Sequence, residues 1–234
     1  MKHLIVTEDV NSLPKVLYDR IILDSITNEI VYMNGVKYEY VDLGLSVKWA
    51  KCNVGAKTET DYGYYFQWGD TADKSNAECS WASYKHCNGS YTTLKKYNNT
   101  TEHGESPDNK ITLDPEDDAA TQIMGGNWRM PTKDEIQELL DNTTKELTQV
   151  NGVNGCKFTS NKEGYQNNSI FIPASGYRAT SSFYDQGGPC RIWSSSINTS
   201  SPNRACSLYT SSNFIMVDSG SDRRFGYPVR GVRK

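Results

Sequence analysis

The 234-residue chain contains no long apolar run. A membrane-crossing helix needs about 20 apolar residues in a row, so no membrane insertion is expected. A block of charge of one sign is also missing. Lys and Arg number 25 and Asp and Glu 28, for a net charge of −3. Without a basic stripe there is no electrostatic footprint for nucleic acid or an anionic bilayer. Histidine is scarce: His3, His86 and His103 are the only three. His3 is near the terminus, the other two lie in polar stretches, and nothing positions a general base. No HExxH, GxSxG, phosphate-loop or GxGxxG pattern occurs, so the chemistries those spacings build are not expected. Abundant Asp and Glu do not by themselves mark a glycosidase. Aliphatic residues are sparse, whereas 5 Trp, 15 Tyr and 6 Phe make the chain 11% aromatic. A core of aromatic rings with many polar turns suits a loop-rich β protein better than a helical bundle.

The first ten residues, Met1 to Val10, hold a three-residue apolar stretch followed by two acids. A secretory leader needs an apolar segment of about 7–15 residues. The expectation is a protein that never uses the secretory route, or one whose leader has been removed. Cys52, Cys79, Cys87, Cys156, Cys190 and Cys206 are widely and irregularly spaced with no CxxC pair. That disfavours a zinc ribbon and leaves free thiols as the expectation. Adjacency of His86 and Cys87 does not make a catalytic pair, because such pairs are assembled in space.

Residues 1–37 differ from the rest. They carry the dense aliphatic cluster at Leu13–Leu23 and end in Ile30–Met33, Asn34-Gly35 and Val36–Lys37. Asn-Gly between two β-rich runs predicts a hairpin, with Val36, Tyr38 and Tyr40 on one apolar face. This leader is expected to attach the remainder to a larger assembly or to oligomerise it. Residues 53–110 have little periodicity and read as long ordered loops pinned by aromatics, with 98–109 the loosest part. Asp114, followed by Pro115, Glu116, Asp117 and Asp118, predicts a helix start, with Gly125 as its end. A calcium loop is the alternative for these acids, disfavoured because they splay around a helix. Thr132 and Glu135 form a capping box for a second helix through Ile136, Leu139 and Leu140 to about Asn142. From residue 150 the pattern is β. Turns are expected at Asn151-Gly152 and Asn154-Gly155, and strands at 169–173 and 191–196. A hairpin is expected from 205–209 and 213–217, with a closing segment at 226–233. The helices followed by short strands argue an α+β fold.

Ten serines fall between Ser194 and Ser221, interleaved with Asn198, Asn203, Arg204, Tyr209 and Asn213. Such a mixture, with Tyr as a rigid anchor and Ser and Asn as adaptable hydrogen-bonders, has the composition of a paratope; it is also that of ordinary solvated turns.

Several ordered blocks carry a family resemblance. They are Tyr40–Ala56, Tyr62-Gly63 with Phe66–Asp70, Asp117–Ala120, Gly126–Thr132, Ile172–Arg178, Trp193–Ser196 and Gly226–Arg230. Together they resemble the Fibrobacter succinogenes major paralogous domain over about residues 38–233. That family is similar to the formylglycine-generating-enzyme branch of the C-type lectin fold. The resemblance implies two helices flanking a twisted, mixed or antiparallel β core, with a ligand face built by the C-terminal strands and loops. The tail also resembles the variable region of retroelement-diversified proteins of Bacteroides-like gut bacteria and their phages. By that resemblance Trp193–Ser196, Leu208 and Gly226–Arg230 are scaffold. The exposed ligand-binding positions are Ser200, Asn203, Arg204, Ser207, Tyr209, Ser211, Ile215, Val217, Ser219, Ser221 and Arg224. The Glu-Pro-Asn motif of calcium-dependent sugar binding is missing, and so is the cysteine context of the formylglycine oxidases. Neither a metal, a cofactor nor catalysis is therefore expected.

The resulting expectation is an attachment segment at 1–37 and a C-type lectin-like ligand-binding domain at 38–234. Its function is non-catalytic recognition of a host-surface glycan or protein, as a phage fibre adhesin on the virion surface. Residues 1–37 would contact other virion proteins and hold a homo-oligomer, with a trimer favoured. The alternatives are a virion structural or decoration protein without host binding, an exported bacterial cell-surface binding protein, and an enzyme of the formylglycine type.

Overall fold

Alternating side chains along short strands divide the interior in two. A computed structural model of the chain describes residues 32–33 and 36–234; the aliphatic cluster of the leader and the Asn34-Gly35 turn lie outside the described residues. In chain order the strands are β1 (Tyr32–Met33), β2 (Val36–Lys37), β3 (Tyr40–Val41), β4 (Lys48–Ala50) and β5 (Phe66–Gln67). After the helices α1 (Ala119–Met124) and α2 (Lys133–Asp141) come β6 (Thr143–Val150), β7 (Val153–Ser160) and β8 (Ser169–Pro173). The C-terminal set is β9 (Tyr177–Ala179), β10 (Ser182–Tyr184), β11 (Cys190–Ile197), β12 (Arg204–Thr210), β13 (Ile215–Asp222), β14 (Gly226–Tyr227) and β15 (Val232–Arg233). Every strand pair among the described residues is antiparallel. The sheets are β6-β7-β8, β11-β12-β13, β15-β4-β3, β10-β9-β14-β5 and the β1-β2 pair. The molecule is thus α+β, with mostly antiparallel sheets and two described α-helices.

Because neighbouring strand residues point to opposite faces, β4 sends Trp49 into one core and Ala50 into the other, and β11 does the same with Ile192 and Trp193. The first core is aromatic: Phe66, Trp68, Tyr97, Trp128, Trp193 and Tyr227, closed by Ala119, Ala120 and Met124 of α1. The second is aliphatic: Ile136, Leu139 and Leu140 of α2 pack on Ile170, Ile172, Ile192 and Leu208. Trp193 Nε1 donates to the Phe66 carbonyl at 2.8 Å and Trp68 Nε1 to the Ser194 carbonyl at 2.7 Å, so these buried rings are satisfied at their polar ends.

The capping box at α2 forms as its sequence predicts: the Thr132 side chain accepts from Glu135 N, and the Glu135 carboxylate accepts from Thr132 N. The other helix starts later than its acids suggest. Pro115–Asp117 is a single 3-10 turn, Asp114 makes no side-chain cap, and Asp118 caps α1 by accepting from Thr121 N at 2.9 Å. Asp118 is extended at φ −91°, ψ 111°, which breaks the helical run. Gly125, at φ +68°, ends α1 as expected.

Three β expectations are corrected. Residues 36–41 are not one strand, since β2 pairs with β1 whereas β3 pairs with β4. Asn154-Gly155 is no turn but lies inside β7, where a Cβ on Gly155 would stand 2.3 Å from Phe171 Cζ; this glycine permits close strand approach. The exposed strand β6 was not foreseen, because Thr143–Val150 carries little apolar alternation and is held by its hairpin with β7. That hairpin turns at Asn151-Gly152, both left-handed (φ +49° and +80°), as an Asn-Gly type I′ turn demands. The region expected to be loosest is pinned at its ends: Asp108 accepts from the backbone N–H groups of Tyr97 and Asn98, both at 2.9 Å, and Asn98 is fully buried.

Candidate ligand-binding face

The register of the β11-β12-β13 sheet decides which tail residues share a surface. Arg191 faces Tyr209, and Tyr209 faces Met216; Trp193 faces Ser207, and Ser207 faces Asp218. Odd-numbered residues of β12 therefore share a face with even-numbered residues of β13. The opposite face carries Ile192, Leu208, Ile215 and Val217 onto the aliphatic core. Between Ala205 and Ser207 the register shifts, so that Ala205 faces Ser221 and Arg204 faces Asp222. This irregularity reverses the phase locally.

The solvent-facing end of this face, the outer face, has Arg191 at its centre, while Trp193 and Ser207 farther along it are fully buried. The Arg191 guanidinium lies 4.5 Å from the Tyr209 ring centroid, 5.2 Å from Tyr227 and 5.4 Å from Tyr177. Nη1 donates to Tyr227 Oη at 3.2 Å. From there hydrogen bonds run inward: Tyr227 Oη to Ser221 Oγ at 3.1 Å, and Ser221 Oγ to Asp218 Oδ2 at 2.9 Å. Burial pushes the Tyr227 hydroxyl up to about 12 despite the nearby Arg191 charge, so it remains a donor. Arg191 Nε is shut off from solvent without an acceptor, and no carboxylate among the described residues pairs with this guanidinium. Around the centre, Tyr177 stacks on Tyr184 at 5.3 Å and meets Phe225 edge-on at 5.2 Å. Tyr184, Met216 and Phe214 are 43%, 42% and 62% exposed.

The expected ligand-binding positions do not form one surface. Ser207 and Ser221 are buried, at 0% and 3% exposure, with their hydroxyls 3.1 Å apart. They are the inner wall of the network behind Arg191. Ile215 and Val217 are half-buried against the aliphatic core, because the strand alternation turns them inward. Four expected positions are corrected in this way. Tyr209 lies on the outer face, half-buried beside Arg191. Arg204 is exposed and Arg224 half-buried, and both reach Asp222, at 3.6 and 3.3 Å. Arg224 also covers the Phe225 ring at 4.6 Å. Ser211 braces the β12–β13 turn by accepting from Phe214 N at 3.1 Å and opens on a hollow of about 490 Å³ shared with Leu147, Gln149 and Gly187. Ser219 is exposed and lines another hollow, about 380 Å³, between Asn198 and Lys133 of α2. Ser200 is exposed and Asn203 half-buried in the β11–β12 turn, where Ser200 N donates to Asn198 Oδ1 at 2.9 Å and the Asn203 carbonyl accepts from Arg223 N at 3.1 Å. Arg191, Tyr177, Tyr184 and Met216 were missed. The available signal was the hairpin register: Arg191 alternates with Cys190 and Ile192, and Met216 with Ile215 and Val217.

Two other groups bear on chemistry. The oxygens of Asp114, Glu116 and Asp117, which lie close enough to surround a cation, surround the Lys96 ammonium at 2.8, 3.0 and 2.6 Å. Burial opposes the charge on Lys96, but its bonds to Asp114 and Asp117 prevail and raise its pKa; Asp117 is in turn held well below the usual carboxylate range. Asp117 also pairs with Lys85 at 2.8 Å. All six cysteines are unpaired, and all but Cys52 are buried. Burial pushes the thiols of Cys79 and Cys190 up to about 11 and that of Cys156 to about 12, and raises Cys52 and Cys206 as well. A nucleophilic cysteine needs the opposite shift.

No family model, no curated protein and no solved structure matches this chain.

Proposed function

We propose that the protein is a non-catalytic recognition module with a C-type lectin-like arrangement, whose contact surface is the outer face of β11-β12-β13 and the adjoining β9–β10 hairpin. One observation carries the reading: the Arg191 guanidinium lies beside the Tyr177, Tyr209 and Tyr227 rings on an antiparallel sheet, with Tyr184 and Met216 exposed next to them. Exposed aromatic clusters of this kind mark interaction surfaces, and Tyr and Arg are the side chains that contribute most at recognition surfaces. The two helices, each closing its own core, support the lectin-like reading. The thiols of Cys52, Cys79, Cys156, Cys190 and Cys206, which burial holds in the protonated form, favour binding over oxidase chemistry. In this reading the module is carried as a fibre adhesin of a phage that infects Bacteroides-like hosts, with residues 1–37 as its attachment, and it meets a molecule of the host surface.

The test is adsorption of the full chain to Bacteroides cells, alongside glycan and protein arrays. The double variant Tyr209→Ala with Met216→Ala should lose most binding while keeping its melting temperature within a few degrees. Undiminished binding by a folded double variant would remove this face as the contact surface.

A further inference from the structure

Strand β6 lies at the edge of the β6-β7-β8 sheet. It is eight residues long, Thr143–Val150, and pairs with β7 at every position without a register shift. The Asn151-Gly152 turn makes Val150 and Val153 a pair that exchanges hydrogen bonds, and such pairs recur at every second residue. Asn142, in the same phase, accepts at its carbonyl from Asn161 N at 2.9 Å. The even-numbered residues of β6 therefore direct their N–H and C=O groups at β7. Those of Lys145, Leu147 and Gln149 point away from it, and among the described residues nothing pairs with them. The outer edge of β11, by contrast, is closed by other stretches of backbone. There Trp193 N donates to the Pro228 carbonyl at 3.0 Å, Ser195 N to Pro131 at 2.8 Å and Ile197 N to Ile111 at 3.0 Å.

A regular edge of this length is a template for another strand, and its side chains suit a second copy of itself. Residues 144–147 are exposed. Leu147, 48% exposed, places an aliphatic side chain near the middle of the edge. Lysine is a common guard of such edges, but Lys145 Nζ donates to the Leu140 carbonyl in the last turn of α2, so its charge is turned back toward the helix. Two antiparallel copies related by a two-fold axis join outward-facing residues to outward-facing residues, which places the axis on one residue of β6. An axis at Lys145 or at Glu146 sets that charge directly against itself, which is unfavourable. At Thr144 or Thr148 it leaves only one end of the strand paired. At Leu147 it sets the exposed leucine against its own copy, Lys145 against Gln149 and Glu146 against Thr148, and allows about six backbone hydrogen bonds. The hollow of about 490 Å³ that Leu147 and Gln149 line with Gly187 and Ser211 leaves room beside the edge for the second leucine.

We infer that β6 pairs antiparallel with β6 of a second copy about a two-fold axis at Leu147, joining two three-stranded sheets into one of six strands. This surface is separate from the Arg191 face, so the inference stands or falls independently of the recognition reading. The experiment is sedimentation equilibrium of the full chain. Its average mass should double between about 2 and about 200 µM. Leu147→Lys and Leu147→Glu should each abolish that rise, because each puts like charges on the axis, while their melting temperatures stay within a few degrees of the wild type. An equimolar mixture of the two variants should restore the rise, since a lysine then meets a glutamate. Only a contact of position 147 with itself gives that pattern. The wild-type arm needs no variant, so a folding defect cannot mask the result. A constant wild-type mass, a rise that either variant alone retains, or a mixture that stays at the dilute mass would each overturn the inference.

Discussion

Arg223 and Arg230 in the interior and Arg191 on the outer face are alike in having no carboxylate partner among the described residues, and unlike in their hydrogen bonds. Arg230 is fully buried and donates to Asn53 Oδ1 at 2.8 Å and to the carbonyls of Ala50 at 2.9 Å, Lys51 at 2.5 Å and Phe171 at 2.9 Å. Arg223 is fully buried too. It donates to Tyr84 Oη at 2.8 Å and to the carbonyls of Tyr97, Pro202 and Lys96 at 3.1, 2.8 and 3.1 Å, and its guanidinium lies 4.6 Å from the Trp68 ring centroid. Each interior fork ties together stretches of chain that are distant in sequence. Arg191 uses one donor. A guanidinium saturated by fixed carbonyls is a structural pin, whereas one held flat with donors to spare is a group for something else.

The contrast is broken most directly by removing the cation from each place. Arg223→Met should cost ~3–5 kcal/mol, because the buried carbonyls of Tyr97 and Pro202, the part-buried one of Lys96 and the Tyr84 hydroxyl lose their donor. Arg191→Met should cost less than ~1 kcal/mol, since Tyr227 Oη keeps Ser221 and only one bond is lost. Urea unfolding measures both. Equal losses would mean that Arg191 is also a pin and that the face is scaffold.

Acid sharpens the same comparison from the interior side. His86 is buried with Nε2 3.0 Å from the Gly69 carbonyl oxygen and 3.6 Å from Asp117 Oδ1. Burial lowers its pKa to about 4, against the opposing pull of the Gly69 carbonyl and Asp117. The unfolded chain takes up a proton near pH 6.5 and the folded one only near 4, so the contribution of neutral His86 is complete above pH 6.5 and disappears as the pH falls to about 4. The difference corresponds to at most ~3 kcal/mol. Asp117, depressed by Lys85, Lys96 and Tyr97 against its burial, adds a loss of the same sign below about pH 4. Stability measured across pH 7 to 4 should fall in the wild type and flatten in His86→Gln. An unaltered slope in that variant would show that another group titrates.

Local signals in the sequence were sufficient for the α2 capping box, the Gly125 stop, the Asn151-Gly152 turn and the β12–β13 hairpin, because each rests on side chains a few residues apart. What could not be read was how distant segments meet. Nothing near Arg223 or Arg230 shows that their acceptors come from residues 50–53, 84, 96–97, 171 and 202. The site suffered for a related reason. Choosing Ser207 and Tyr209 on one arm with Ile215 and Val217 on the other joins two opposite faces, because from Ser207 to Thr210 β12 pairs odd with even on β13. Serine content pointed at exposure, yet Ser207 and Ser221 are interior because a hydroxyl can be satisfied by its neighbour. Tyr177 and Tyr184, some thirty residues before Tyr209, reach the face only through the β9–β10 hairpin packing beside β14.

The smallest effects test the phase of β13 itself. Val217 rests against the aliphatic core while Met216, its neighbour, is exposed. Val217→Ala removes two methyl groups from a half-buried site and should cost ~1–2 kcal/mol, below the range for a fully buried aliphatic residue. Met216→Ala and Ser219→Ala remove side-chain atoms that face solvent and should stay within ~0.5 kcal/mol. Ser219 keeps even its contact to Asn198, because the acceptor there is the Ser219 carbonyl at 2.7 Å. A set of three variants read by one unfolding midpoint therefore reports the register. If Met216→Ala were the costly one and Val217→Ala the silent one, β13 would be shifted by one residue. Tyr209, the neighbour of Arg191, would then face a residue of β13 other than Met216.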